Sequence, residues 1–92
     1  MLFVTHYQLI GERSKARTVE LMALFGDRGA GPGTLAHYVY ADGGGGFVIS
    51  DESGLERLYE DAVHYSLYME FETRPALTIE EALPTIAGWM SS

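Results

Sequence analysis

The apolar positions along the chain change their spacing several times, and each change marks a new element. Residues Leu2–Ile10 alternate between apolar and polar and are rich in β-branched and aromatic side chains, which is typical of a strand. Ser14 then precedes Lys15–Phe25, where the apolar positions recur at helical spacing. Gly26 follows, and a glycine at this point is expected to end the first helix.

The middle of the chain predicts a β-hairpin and a second helix. Leu35–Ala41 and Phe47–Ser50 are the predicted strands, and the glycines within residues 42–46 supply the turn between them. The acidic and hydroxyl side chains of residues 51–53 are predicted to cap the second helix and to suit its dipole. The apolar positions that follow have helical spacing and are Leu55, Leu58, Tyr59, Ala62 and Val63.

The last part of the chain predicts a fourth strand and a closing helix. Leu67–Leu77 alternates again, and Pro75 indicates an edge position or the end of the strand. Thr78 is the predicted N-cap of the closing helix, with Glu81 at the spacing of a capping box. Pro84 falls inside this helix and is expected to kink it or to split it in two.

The element order is β-α-β-β-α-β followed by a helix, which predicts one α+β domain of ferredoxin-like architecture over residues 1–92. Right-handed crossovers place the strands in the order 4-1-3-2, all antiparallel, with two helices on one face. The other face has no helix to cover it. Six residues predicted there are Tyr38, Tyr40, Tyr68, Glu70, Glu72 and Arg74. Because a face with several aromatic rings is unfavourable in water, we expect it to pack against a second copy.

Composition narrows the classes of function. The 92 residues suffice for one domain, and a hydrophobic share of 47% is that of a globular chain. A net charge of −7 repels a phosphate backbone, so a nucleic-acid partner is not expected. The chain has no cysteine, which excludes thiolate chemistry and cysteine-based metal sites. No membrane-spanning run or secretory signal is recognised, so we expect a cytoplasmic protein with no membrane partner.

Three segments of the chain resemble a known family. They are Met1–Val4, Tyr40–Phe47 and Ser66–Leu77, of which the last is the most specific. Through them the chain resembles a family of short bacterial and phage proteins of unknown function within the dimeric α/β-barrel (ferredoxin-like) superfamily. The resemblance implies the fold and a homodimer joined sheet to sheet, and it implies no reaction. Tyr7 and Tyr65 stand where members of the family tend to carry tryptophan.

The three histidines are the first candidates for acid–base chemistry. His6 and His37 fall on predicted strands, where either can serve as a general base in a pocket, and His64 falls on the polar face of the second helix. No two of them have the spacing of a metal-binding pair, so we predict no metal site and no cofactor. The favoured interpretation is that His6 is a hydrogen-bonded core or interface residue and that His64 is a solvated surface residue.

Carboxylates and tyrosines are the remaining candidates. Glu70 and Glu72 share one strand face, and paired carboxylates can divide acid and base roles. Pairing with Arg74, or with a basic residue across the interface, is favoured because unpaired buried carboxylates are costly. Aromatic rings with a polar tip suit an interface, which is favoured, or a pocket for a flat apolar ligand. The tyrosines in question are Tyr7, Tyr38, Tyr40 and Tyr68.

Two functions follow from these features. The first is a homodimeric binding or interaction protein without catalysis, acting on a host protein if it is encoded by a phage. The alternative is a small cofactor-free enzyme, monooxygenase-like or isomerase-like, that acts on a small aromatic ligand through His6, His37 and the tyrosines. An enclosed cavity of roughly a few hundred cubic ångströms or more, with a histidine or carboxylate pointing into it, favours the enzyme. Packed or paired residues without a cavity favour the interaction protein.

Overall fold

The computed structural model describes residues 1–92 and contains four strands and three helices. In chain order the elements are β1 (Leu2–Leu9), α1 (Lys15–Arg28), β2 (Thr34–Val39), β3 (Gly45–Asp51), α2 (Glu56–His64), β4 (Met69–Ala76) and α3 (Ile79–Met90). The strands form one antiparallel sheet in the order β2-β3-β1-β4. This is the predicted order counted from the opposite edge, so the predicted βαββαβ arrangement is confirmed.

The register of β1 separates the two faces of the sheet. Tyr7 lies opposite Gly46 of β3 and Phe71 of β4, whereas His6 lies opposite Phe47 and Glu72. Successive side chains of a strand point to opposite faces, so these are two distinct sets. The set of Tyr7 faces α1 and α2 and is called the helix face. The other set has no helix above it and is called the open face: Leu2, Val4, His6, Gln8, Ala36, Tyr38, Tyr40, Phe47, Ile49, Glu70, Glu72 and Arg74.

The core lies between the helix face and the two helices, and it is thin. Its buried apolar side chains are Phe3, Tyr65 and Met69. The hydroxyls of Thr5 and Thr73 hydrogen-bond across β1 and β4 at 3.0 Å, which satisfies two polar groups on this face. β3 begins with two buried glycines, of which Gly46 lies opposite Tyr7 and contributes no side chain to this face, so space remains between the sheet and the helices.

The inward face of α1 differs from the predicted apolar stripe. Its less exposed positions, at i, i+4, i+7 and i+11, are Arg17, Leu21, Leu24 and Arg28. Val19 and Met22 of the predicted stripe are exposed. Of the second predicted stripe, Leu55 just before α2 and Tyr59 and Val63 within it are also exposed. The stripes therefore predicted the helices correctly and their inward faces only in part, since Leu21 and Leu24 of α1 and Leu58 of α2 are among the less exposed positions.

The ends of the helices were partly predicted. The Oγ of Ser14 accepts a hydrogen bond from the backbone N–H of Arg17 at 3.1 Å, which confirms the predicted cap of α1. The prediction that Gly26 ends α1 is wrong, because the helix continues to Arg28 and Gly29 forms its C-cap at a φ of 67°. One glycine inside a helix costs only about 1 kcal/mol, which a helix of this length tolerates. The predicted cap of α2 within residues 51–53 is also wrong, since β3 runs to residue 51 and α2 begins at residue 56 without a side-chain cap.

The helix α3 stands apart from both layers. The predicted capping box is present: Thr78 Oγ1 accepts from the N–H of Glu81 and Glu81 Oε1 accepts from the N–H of Thr78, each at 3.1 Å. These bonds lower the pKa of Glu81. The helix runs through Pro84 as one element, so of the two predicted effects of this proline the split does not occur. All of residues 77–92 except Ala82 are exposed. The molecule is 57 Å long, although a strand of eight residues spans only about 26 Å.

None of the three helices has the length and apolar content that crossing a membrane requires.

The edge position expected for Pro75 is confirmed, because β4 is the outermost strand beside β1. Proline has no N–H to donate to a further strand, so it suits this edge.

Candidate functional site

The open face carries an aromatic cluster centred on Phe47. The ring of Phe47 stacks on Tyr38, with centroids 5.2 Å apart, and lies 5.8 Å from His6 and 6.1 Å from Tyr40. His6 Nδ1 and Tyr40 Oη are hydrogen-bonded at 2.9 Å. The predicted placement of Tyr38 and Tyr40 on the side of the sheet without helices is therefore confirmed.

A polar margin borders this cluster along β4. A groove of about 590 Å³ passes over His6, Gln8, Tyr40, Glu70 and Glu72. Glu72 accepts a hydrogen bond from Arg74, the partner expected for it. Both side chains of this pair are more than half exposed, at 61% and 75%, so the pair adds little to stability.

Tyr68 does not lie on the open face, and that part of the prediction is wrong. Tyr68 precedes β4 in the turn after α2, so the alternation of the strand does not apply to it. Its hydroxyl donates to Glu20 of α1 at 3.2 Å, and the guanidinium carbon of Arg17 lies 5.2 Å from its ring centroid. Tyr68 thus packs against α1.

A cleft of about 450 Å³ lies on the helix face beneath α1. Leu21, Met22 and Phe25 of α1 form one wall, and Tyr65 and Phe71 are among the residues across from them. The cleft reaches β2, where His37 and Val39 line it and stay exposed. The sequence does not reveal this cleft, because the helical spacing of Met22 and Phe25 is also that of residues in a packed core.

Tyr7 and His37 meet inside the cleft. Tyr7 Oη and His37 Nε2 are 2.7 Å apart, and their rings meet edge to face with centroids 5.6 Å apart. The ring of Phe25 lies 6.2 Å from that of His37. The ring of Tyr7 crosses β3 above Gly46, where an added Cβ would lie 2.5 Å from Tyr7 Oη. The glycine therefore makes the hydrogen bond between β1 and β2 possible.

Burial changes the acid–base behaviour of two tyrosines at the cleft. Burial raises the pKa of Tyr7 above its usual value of 10.0, and the nearby Tyr40 raises it further. Burial also raises the pKa of Tyr65, with a smaller contribution from the negative charge of Asp61. Both phenols therefore stay protonated at neutral pH and act as hydrogen-bonding groups.

These pKa shifts predict a loss of stability in alkali. A group whose pKa is raised by folding contributes its full stability below the unfolded pKa, here about 10, and loses it as the pH rises through the folded value. We therefore expect the free energy of unfolding to fall as the pH rises above about 10, because Tyr7 and Tyr65 then begin to favour the unfolded chain. The most alkaline part of the phenolate absorbance titration should be smaller in Tyr7→Phe than in the parent protein, because Tyr7 is one of the tyrosines whose pKa is raised. Overlapping curves for Tyr7→Phe and the parent protein would refute this assignment.

Asp61 joins α1 to α2 at the inner end of the cleft. Its Oδ1 accepts hydrogen bonds from Arg28 Nη2 at 2.7 Å and Nε at 3.2 Å, and lies 3.3 Å from Arg57 Nε. Arg57 also donates to the carbonyls of Arg28 and Gly29 at 3.4 Å and 3.3 Å, where α1 ends. The only sequence signal for this cluster is the i,i+4 spacing of Arg57 and Asp61.

The structure thus brings the candidate residues together in two pairs, one on each side of the sheet. His6 joins Tyr40 on the open face, and Tyr7 joins His37 in the cleft. His64 is exposed in the last turn of α2. No group of three or more histidines and carboxylates is arranged to hold a metal ion.

These features define a small α+β protein with an antiparallel sheet, one bare sheet face and a cleft beneath its first helix. The chain belongs to a family described as a domain of unknown function (DUF3303), whose family model matches residues 1–89. The expected membership in a family of unknown function is thereby confirmed. No match to a curated protein was found.

Proposed function

We propose that the protein is a homodimeric interaction protein whose two copies associate through their open faces, as in a ferredoxin-like dimeric α/β barrel. The aromatic cluster around Phe47 supports this most directly. Tyr38 and Tyr40 are 57% and 41% exposed although both rings contact Phe47. Tyrosine and phenylalanine are enriched at protein interfaces, where large rigid rings are buried at low entropic cost.

The layout of polar groups on the open face also suits association of two copies. The aromatic and aliphatic residues lie towards β2 and β3, and the charged residues lie along the edge strand β4. An apolar centre with a polar rim is the usual anatomy of an interface. In a two-fold dimer both copies contribute the same surface patch, so the open face alone is enough to form the interface. The acidic remainder of the surface favours a basic protein, such as a host protein, as any further partner.

The mass in solution tests this proposal. We expect the parent protein to have twice the monomer mass by light scattering at micromolar concentration. Phe47→Glu should weaken the dimer by about 100-fold or more, because it buries an unpaired carboxylate at the centre of the patch. Leu67→Glu is the matched control, since Leu67 is 74% exposed in the turn before β4 and away from the open face. A monomeric parent protein, or a dimer that survives Phe47→Glu, would refute the proposed interface.

A further inference from the structure

We infer that the cleft beneath α1 binds a small, uncharged, planar molecule that carries one hydroxyl or carbonyl group, with Tyr7 and His37 as its hydrogen-bonding partners. This inference goes beyond the proposed dimer and does not rest on it, because the cleft lies on the helix face and the proposed interface lies on the open face. Four observations support it: the volume of the cleft, its aromatic walls, the hydrogen-bonding capacity that Tyr7 and His37 leave unused, and the absence of an unpaired charge among the lining residues.

The volume and walls of the cleft suit a flat apolar molecule. Its 450 Å³ falls within the range of roughly 300–1,000 Å³ that small-molecule sites occupy. Phe25 of α1, Tyr65 at the end of α2 and Phe71 of β4 place aromatic rings around the space. Aromatic rings attract one another in offset or edge-to-face arrangements, so these walls favour a planar ligand over a branched one.

The pair of Tyr7 and His37 has hydrogen-bonding capacity left for a ligand. A phenol has one O–H and accepting lone pairs, and a neutral imidazole has one donor and one acceptor. If His37 Nε2 accepts the proton of Tyr7, the lone pairs of Tyr7 Oη are free to accept from a ligand hydroxyl. If Nε2 carries the hydrogen and donates to Tyr7, the O–H of Tyr7 is free to donate to a ligand carbonyl. Either tautomer thus leaves Tyr7 able to bind one polar group.

The position of Tyr7 is set before any ligand arrives. Its ring lies against Gly46 on one side, and its centroid is 6.3 Å from that of Phe71. The hydrogen bond to His37 fixes the hydroxyl at the other end. A group that is already oriented loses little freedom on binding, so its hydrogen bond contributes more to affinity.

The charges around the cleft disfavour an ionic ligand. Asp61 is the one carboxylate that lines it, and Arg28 and Arg57 already bind that carboxylate. No lysine or arginine lines the cleft. A charged ligand would therefore lose its hydration without gaining a partner of opposite charge in the cleft, and this loss costs binding free energy.

Three probes of the same ring system test the inference: 1-naphthol, naphthalene and 1-naphthoate, titrated into the full chain by calorimetry. We expect 1-naphthol to bind more tightly than naphthalene, and 1-naphthoate to bind most weakly. Tyr7→Phe should weaken 1-naphthol by about fivefold, the factor typical of one lost neutral hydrogen bond, and leave naphthalene unchanged. His37→Ala should also weaken 1-naphthol selectively, because it removes the partner that orients Tyr7.

Matched variants and contrary outcomes make the test decisive. Tyr59→Phe and His64→Ala change the same residue types at exposed positions outside the cleft and should leave all three affinities unchanged. If circular dichroism shows that Tyr7→Phe does not fold, His37→Ala on the edge strand β2 is used for the same comparison of 1-naphthol with naphthalene. Equal affinities for 1-naphthol and naphthalene, preference for 1-naphthoate, or no binding by any probe would each overturn the inference. Unchanged 1-naphthol binding by Phe47→Glu separates this result from the outcome of the dimer test.

Discussion

Gly46→Ala is expected to destabilise the protein by about 3 kcal/mol, the upper range for overpacking a buried site. A Cβ at this position would overlap the carbonyl oxygen of Tyr38 on β2 and approach Tyr7 Oη and Cζ to 2.5 Å and 2.8 Å. The carbonyl belongs to the neighbouring strand, so it cannot move without disturbing the pairing of β2 and β3. The ring of Tyr7 would also be displaced from His37.

Gly26→Ala is the matched control, and its effect should have the opposite sign. Gly26 lies inside α1, and nothing comes within 4 Å of a Cβ added there. Alanine is a better helix former than glycine by about 1 kcal/mol, so this variant should be more stable than the parent. Urea unfolding measures both changes. A loss of stability for Gly26→Ala, or no loss for Gly46→Ala, would contradict this account.

Asp61→Ala is expected to cost about 2 kcal/mol of unfolding free energy, because it removes charge-assisted hydrogen bonds and leaves two guanidinium groups facing each other. Asp61 is the only residue that contacts both Arg28 of α1 and Arg57 of α2 through hydrogen bonds. Its loss should therefore loosen the end of α1 against α2. Hydrogen exchange of the last turn of α1 should quicken along with the drop in stability.

Glu60→Ala provides the comparison on the same helix. Glu60 is 4.0 Å from Arg28 Nη2 and its side chain is 60% exposed, so its removal should change stability by no more than about 0.5 kcal/mol. Similar effects for the two variants would indicate that the general negative charge of α2, and not the geometry at Asp61, holds the helices together.

The sheet was predictable because its determinants are local and repetitive. Alternation marked the strands, and the handedness of crossovers left one arrangement of the βαββαβ order. The orientation of α1 was not predictable in the same way, since arginines occupy both ends of its inward face. Arg17 donates to the carbonyls of Ile10 and Leu67 at 3.3 Å and 2.7 Å, so hydrogen bonds to loop backbone help to orient this end of α1.

The candidate site depended on register, which spacing along the chain does not reveal. Tyr7 and His37 were both candidates, but they are 30 residues apart and lie on strands separated by β3. Their meeting requires a glycine opposite Tyr7, because any other residue there would place a side chain beneath the ring of Tyr7. The sequence shows four glycines in a row, and only the structure shows which one lies under Tyr7.

The bare helix α3 has a thermodynamic consequence. An isolated helix of 12 residues is marginal in water, and α3 exposes Leu83, Ile86 and Trp89 with no partner in its own chain. Any surface that comes to cover it will therefore order the helix and bury its side chains in the same event. Such coupled ordering gives binding a larger negative heat-capacity change than rigid surfaces of equal area would produce. Helix content would then rise with occupancy, so circular dichroism would follow the binding event without any label.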